Sequence, residues 1–195
     1  MTQFAPQFYG PVLAPLVDVD RRRPLGPGVP NMALRDALDA LTMEQAFGGK
    51  SIADLDMATC VISAVWLLHD FLDQSHSISQ SIGTTSGSFW HGIMHRREGD
   101  FSNAKYWFRN VGRHRTFDRL AARAAELAER AADSDAADLL AAQRDWDPFA
   151  FIDLCEAATR GRQENVALCI DVQQAEWELL FDNCYRAAVG MVPGE

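Results

Sequence analysis

The sequence predicts an all-α fold: a single helical-bundle domain of six to seven helices over residues 31–195, built around a central apolar helix and preceded by an extended proline-rich arm over residues 1–30. Three observations carry that expectation. Apolar side chains recur about every three to four residues in segment after segment, which is the period of one helix face. Helix start and stop signals punctuate those segments, among them Asp147-Pro148 and the glycines Gly99, Gly112, Gly161 and Gly190. No segment alternates with period two for long enough to make a strand.

The arm carries six of the eight prolines, Pro6, Pro11, Pro15, Pro24, Pro27 and Pro30, a spacing that argues against a regular helix. Its Phe4, Phe8, Tyr9, Leu13 and Val17 are apolar enough to lie along the domain. Asn31 is a capping residue for a helix running to Phe47, with Leu34, Leu38 and Leu41 as its stripe and Gly48-Gly49 as its end. The next helix, from about Asp56 to Gln74, is apolar nearly all round through ATCVISAVWLLHDFL. A helix without a polar face belongs in the centre of a bundle. Residues 77–88, SISQSIGTTSGS, then read as a loop, and Ser88 as the cap of a helix over Phe89–Glu98. Gly99 suits the left-handed turn past its end, and a second short helix runs from about Asn103 to Val111, capped by Ser102 or Asp100. Thr116 opens an Ala-rich helix that breaks at Asp133-Ser134-Asp135, and a further turn or helix covers Ala136–Gln143. Asp147-Pro148 starts a helix that ends at Gly161, and a last long helix runs from about Gln163 to Val189.

Charge bounds the partners. The formal net charge of −9 repels nucleic acid and anionic membrane surfaces. The positive charge is unevenly spread: Arg96, Arg97, Lys105, Arg109, Arg113, Arg115, Arg119 and Arg123 lie in one stretch, a candidate basic patch for a small anionic ligand or simply a solvated face. Cys60, Cys155, Cys169 and Cys184 form no CxxC pair, and each sits in an apolar helical context that suits a reduced core thiol. No cationic start followed by an apolar run marks a signal peptide, and no apolar stretch approaches the ~20 residues that span a bilayer, so the expected location is the cytoplasm.

The segment from Phe89 to Gly112, FWHGIMHRREGDFSNAKYWFRNVG, concentrates the chemistry. His91, His95 and Glu98 fall at i, i+4 and i+7 and share one helix face. His69, Asp73 and His76 repeat that spacing on the expected central helix. If the two helices face each other, six ligand-type side chains meet, a set that suits a divalent zinc, iron or manganese ion. Arg96, Arg97 and Arg109 would then hold an anionic substrate. The chain lacks the paired Glu-x-x-His of di-iron bundles, a His-Glu-x-x-His string, a Gly-Lys-Ser phosphate loop and a Gly-x-Ser-x-Gly elbow. Gly92 in mid-helix implies that another backbone or a ligand comes close. Gln173, polar on the inner side of the last helix, is a further candidate to touch a site.

Gly99-Asp100-Phe101, Ala104, Trp107, Phe108 and Val111 resemble the second half of a tetratricopeptide-type helical hairpin, which implies close helix-on-helix packing at the small and aromatic positions. The resemblance covers residues 99–112, and no repeat of about 34 residues continues it. The longer string from Phe89 to Gly112 resembles a signature of an uncharacterised bacterial and fungal family, to which no activity attaches.

Two functions stay open on the sequence. A fold by itself implies no chemistry, which puts first a helical interaction or scaffold protein whose histidines are structural and whose Tyr106, Trp107 and Phe108 serve packing or a protein partner. The alternative is a metal-binding pocket protein, a metal-dependent hydrolase or oxidase acting on a small anionic substrate.

Overall fold

In the computed structural model, which describes residues 4–132, 134–192 and 194, the chain forms eleven α-helices and three short 3-10 turns, with no strand among the described residues. The all-α class therefore stands, while several boundaries move for identifiable reasons.

The first helix, α1 (Gly10–Val17), lies inside the segment expected to be extended. Pro11 falls in its first turn, where a backbone N–H has no partner within the helix anyway. Pro15 removes one internal hydrogen bond. Burial offsets that loss, because Leu13 and Val17 are fully enclosed. The Tyr9 ring packs edge-on against Phe181 and Tyr185, with centroids 4.9 and 5.0 Å away. This part of the chain is core rather than an outer wrap.

The helix expected over residues 31–47 is split into α2 (Arg35–Asp39) and α3 (Met43–Ala46), after a 3-10 turn at Met32–Leu34. Thr42 restarts the chain with a capping box: the Gln45 N–H donates to Thr42 Oγ1 at 3.2 Å, and the Thr42 N–H donates to Gln45 Oε1 at 3.0 Å.

Helix α4 (Leu55–Leu68) is capped by Asp54, whose Oδ1 accepts from the Met57 N–H at 3.0 Å. Met57, Ala58, Cys60, Val61, Ala64 and Val65 are fully buried along it. The expected continuation to Gln74 breaks at residues 69–71, and the chain resumes as α5 (Leu72–Ser79). Asp70 adopts φ +63°, the left-handed region that Asp tolerates better than most residues. What holds it there is charge. The Asp70 carboxylate accepts from Arg97 Nη2 at 2.6 Å and lies 3.8 Å from Arg23 Nη1. It also sits so close to Gly28 that a Cβ at that position would meet it at 2.6 Å.

Helix α6 (Thr85–Glu98) begins earlier than Phe89, because Thr84 rather than Ser88 caps it: the Gly87 N–H donates to Thr84 Oγ1 at 3.1 Å. Gly99 ends it at φ +84°. Asp100 then caps α7 (Phe101–Val111) by accepting from the Asn103 N–H at 3.1 Å. The two helices form a hairpin in close contact. A Cβ at Gly92 would stand 2.7 Å from the Phe108 ring.

The chain continues through α8 (Phe117–Ala128), α9 (Asp135–Ala142), α10 (Pro148–Thr159) and α11 (Val166–Ala188). Of the expected break at 133–135, Asp133 lies outside the described residues; Ser134 caps α9 through the Ala137 N–H at 3.2 Å. Asp147 Oδ1 accepts from the N–H groups of Phe149 and Ala150, as the Asp-Pro start implies. Helix α11 packs along α4 and α8. Trp177 Nε1–H donates to the Ala64 carbonyl at 3.1 Å. Gln173 belongs to this frame and not to a site: its amide donates to the carbonyls of Arg23 and Pro24 at 3.1 and 3.3 Å. All four cysteines are free thiols and buried. Among the described residues, no helix is long and apolar enough to cross a membrane.

Candidate metal centre

Three of the six predicted ligand residues converge. His76 comes from α5, and His91 and His95 lie one turn apart on α6. Each offers a ring nitrogen such that the three lie within 4.8 Å of one another. His91 and His95 are buried and His76 is half-buried. The His76 ring centroid stands 4.6 Å from that of His91 and 5.3 Å from that of His95. The Trp107 ring of α7 leans against His91, 4.0 Å between centroids.

The helix break at Asp70 takes His69 out of the predicted set. With α4 and α5 as separate rods, His69, Asp73 and His76 no longer share one continuous face. His69 is buried elsewhere, its Nε2–H donating to the Leu16 carbonyl at 2.9 Å and tying the end of α4 to α1. Asp73 is exposed in the first turn of α5, where an acid favours the positive end of the helix dipole. Neither is part of the cluster.

Glu98 takes a supporting position. Its Oε2 accepts from His95 Nδ1–H at 3.0 Å, the carboxylate–imidazole contact that orients metal-ligating histidines. Because a carboxylate can only accept, His95 carries its proton on Nδ1 and presents the Nε2 lone pair. That nitrogen faces His91 Nε2 at 2.9 Å. His91 Nδ1 lies 2.9 Å from Ser79 Oγ, which has the His76 carbonyl 3.3 Å away as a second partner. The Ser79 hydroxyl therefore supports either tautomer of His91. When it donates to Nδ1, His91 Nε2–H donates to His95, and protons run one way from Ser79 to Glu98. When it turns to the His76 carbonyl, it accepts from His91 Nδ1–H, and two Nε2 lone pairs point into one space, an arrangement that suits a shared cation.

Burial favours the neutral rings that ligation needs. Removal from water, reinforced by the neighbouring His95 and His76, pushes His91 down from 6.5 to about 3. Burial also lowers His95, with Glu98 opposing it in part.

Two of the three predicted anion-holding arginines are otherwise engaged. Arg96 is buried in a two-pronged pair with Glu176 of α11, Nη1 donating to Oε1 at 3.2 Å and Nη2 to Oε2, while its guanidinium covers the Phe151 ring. Arg97 donates to Asp70 and, through Nε, to the Gly26 carbonyl at 2.8 Å. Both face internal carboxylates on the side of α6 away from the histidines. Arg109 is exposed and lines a cleft of about 360 Å³ with Ser102, Lys105, Glu156 and Arg160. On α7 it points away from Asn103 and Trp107, the residues that face the cluster. A larger groove of about 760 Å³, between the N-terminal segment and helices α8 and α11, shares no residue with the cluster.

Two contributors escaped the sequence. Ser79 fell in a segment that reads as loop. Asn103 was seen only as a helix start; its Nδ2 lies 3.1 Å from His95 Nε2. The one available signal for both was spacing: Ser79 is at i+3 from His76, and Asn103 at i−4 from Trp107. His114, the fifth histidine, is buried away from the centre, with Nε2 3.0 Å from Ser86 Oγ and Nδ1 2.8 Å from Thr116 Oγ1.

No family model, curated protein or solved structure matches the chain.

Proposed function

We propose that the chain binds a divalent first-row metal ion, zinc above the others, through the imidazoles of His76, His91 and His95. The single observation that supports this most is the contact between His91 Nε2 and His95 Nε2, with His76 closing the third side. Nitrogens at about 2.0–2.1 Å from a tetrahedral ion stand roughly 3.3 Å apart, so a small opening of the His91–His95 contact, with His76 adjusting beside it, admits one. Zinc fits better than iron or manganese. Non-haem iron favours two histidines and a carboxylate on the metal, and manganese favours oxygen donors, whereas Glu98 is spent on orienting His95. Three protein ligands leave a fourth position for a water or substrate oxygen, the arrangement of hydrolytic zinc sites. The acidic surface and the four reduced core cysteines suit a protein of the cytoplasm that engages neither nucleic acid nor membrane.

A second reading, a helical interaction or scaffold protein with structural histidines, has its own support: the relay Ser79–His91–His95–Glu98 satisfies every one of its members without an ion. Zinc titration against a competing chelator separates the two. The metal reading expects one equivalent bound by the wild-type chain and none by His91→Ala or His95→Ala, with the helical circular dichroism retained. A wild-type chain that leaves all zinc on the chelator supports the scaffold.

A further inference from the structure

We propose that Asn103 makes the centre selective for a small oxyanion of the carboxylate type, held on the metal's fourth position by the Asn103 amide. The inference rests on the metal reading above. Helices α5 and α6 supply the three imidazoles, so α7 covers the side that remains, and the two residues it turns toward the cluster are Asn103 and Trp107. Asn103 Nδ2 is nearly equidistant from the two nitrogens of His95, 3.1 Å from Nε2 and 3.4 Å from Nδ1. It therefore stands beside the ring rather than on the axis of the Nε2 lone pair. It flanks the direction in which a metal is ligated and does not fill it.

A metal on the Nε2 lone pair leaves the Asn103 amide where it stands, off that axis, with its N–H groups beside the ion. An oxygen in the fourth position would stand roughly 3.3 Å from each ligating nitrogen, and the Asn103 amide, 3.1 Å from His95 Nε2 on the α7 side, is the side-chain donor that flanks that position. The charge agrees: three neutral imidazoles bring no charge of their own to a divalent ion, and Glu98 and Asp100 act on it only at one remove through His95. None of the predicted arginines reaches the site, which leaves the Asn103 N–H to donate a hydrogen bond to the oxyanion. Trp107, half-buried against His91, limits the ligand to a small one.

The test uses the full chain loaded with cobalt(II), whose visible spectrum reports its ligands, titrated with formate. One equivalent of cobalt is expected in wild type, Asn103→Ala and Asn103→Asp alike. Formate should perturb the wild-type spectrum, bind Asn103→Ala about tenfold or more weakly for loss of a hydrogen bond to a charged group, and fail on Asn103→Asp, where a carboxylate of the same shape repels it. Benzoate should leave the wild-type spectrum unchanged. Cobalt bound with no response to formate, equal formate affinity in all three chains, or benzoate binding as well as formate overturns the proposal and leaves the metal reading standing. A wild-type chain that takes up no cobalt overturns both.

Discussion

His91 and His95, one turn apart on α6, bring their Nε2 atoms to 2.9 Å while their Nδ1 atoms are held by Ser79 on one side and Glu98 on the other. Both rings are thereby fixed in orientation by partners outside the shared space, and His76 reaches that space from α5. Each ring thus has one nitrogen tied back and one turned inward.

The orienting partners set affinity without supplying ligands. Glu98→Gln and Ser79→Ala are each expected to weaken zinc binding by about 10–100-fold while one equivalent still binds. Chelator-competition titration of the two variants checks this; complete loss of zinc in Glu98→Gln would instead make the carboxylate a ligand.

The metal-free protein should lose stability in acid through its buried histidines. His91 is neutral in the folded chain down to about pH 3, whereas in the unfolded chain it takes a proton near its ordinary 6.5. Between those values the unfolded state binds more protons, so stability falls as the pH falls, by at most about 1.4 kcal/mol per pH unit for each such residue. Burial lowers His69 and His95 in the same direction. Urea midpoints measured between pH 7.5 and 4.5 should decline below pH 6.5, and His91→Phe should flatten the decline. A midpoint that rises over that interval contradicts the assignment.

Arg96 and Glu176 form a buried pair between α6 and α11, so removing either charge leaves the other uncompensated. Arg96→Met should destabilise the fold by about 3–5 kcal/mol, and Arg96→Met with Glu176→Leu by much less. Chemical denaturation of the single and double variants provides the measurement; equal losses in both would mean that packing, not charge, is what the pair contributes.

The legible and illegible parts of this molecule divide along the range of the interactions involved. Local chemistry was readable: Asp147-Pro148 begins a helix, Gly99 ends one, and Gly92 admits a close neighbour, which is Phe108. The break after Leu68 was not, because the apolar run continues through it and the left-handed Asp70 is held by Arg97, Arg23 and the nearness of Gly28. That break separated His69 from Asp73 and His76, which no spacing rule anticipates. Arg96 and Arg97 looked like free cations for the same reason: their carboxylates lie 80 and 27 residues away. The pair His91 and His95 was readable because both belong to one helix.

The hairpin that presents the centre depends on Gly92. A Cβ there meets the Phe108 ring at 2.7 Å, so Gly92→Ala should destabilise by about 1–3 kcal/mol despite the better helix propensity of alanine. Thermal unfolding of the variant tests it, and a rise in melting temperature would mean that the Phe108 ring gives way freely. Phe108→Leu in the same background is expected to restore part of the loss.

X-ray absorption of the zinc-loaded chain tests most directly whether three imidazoles share one ion. The account predicts a first shell of nitrogen and oxygen near 2.0–2.1 Å with outer-shell scattering from three imidazole rings and no sulfur near 2.3 Å. One imidazole or none, a sulfur shell, or a chain that retains no zinc would contradict it.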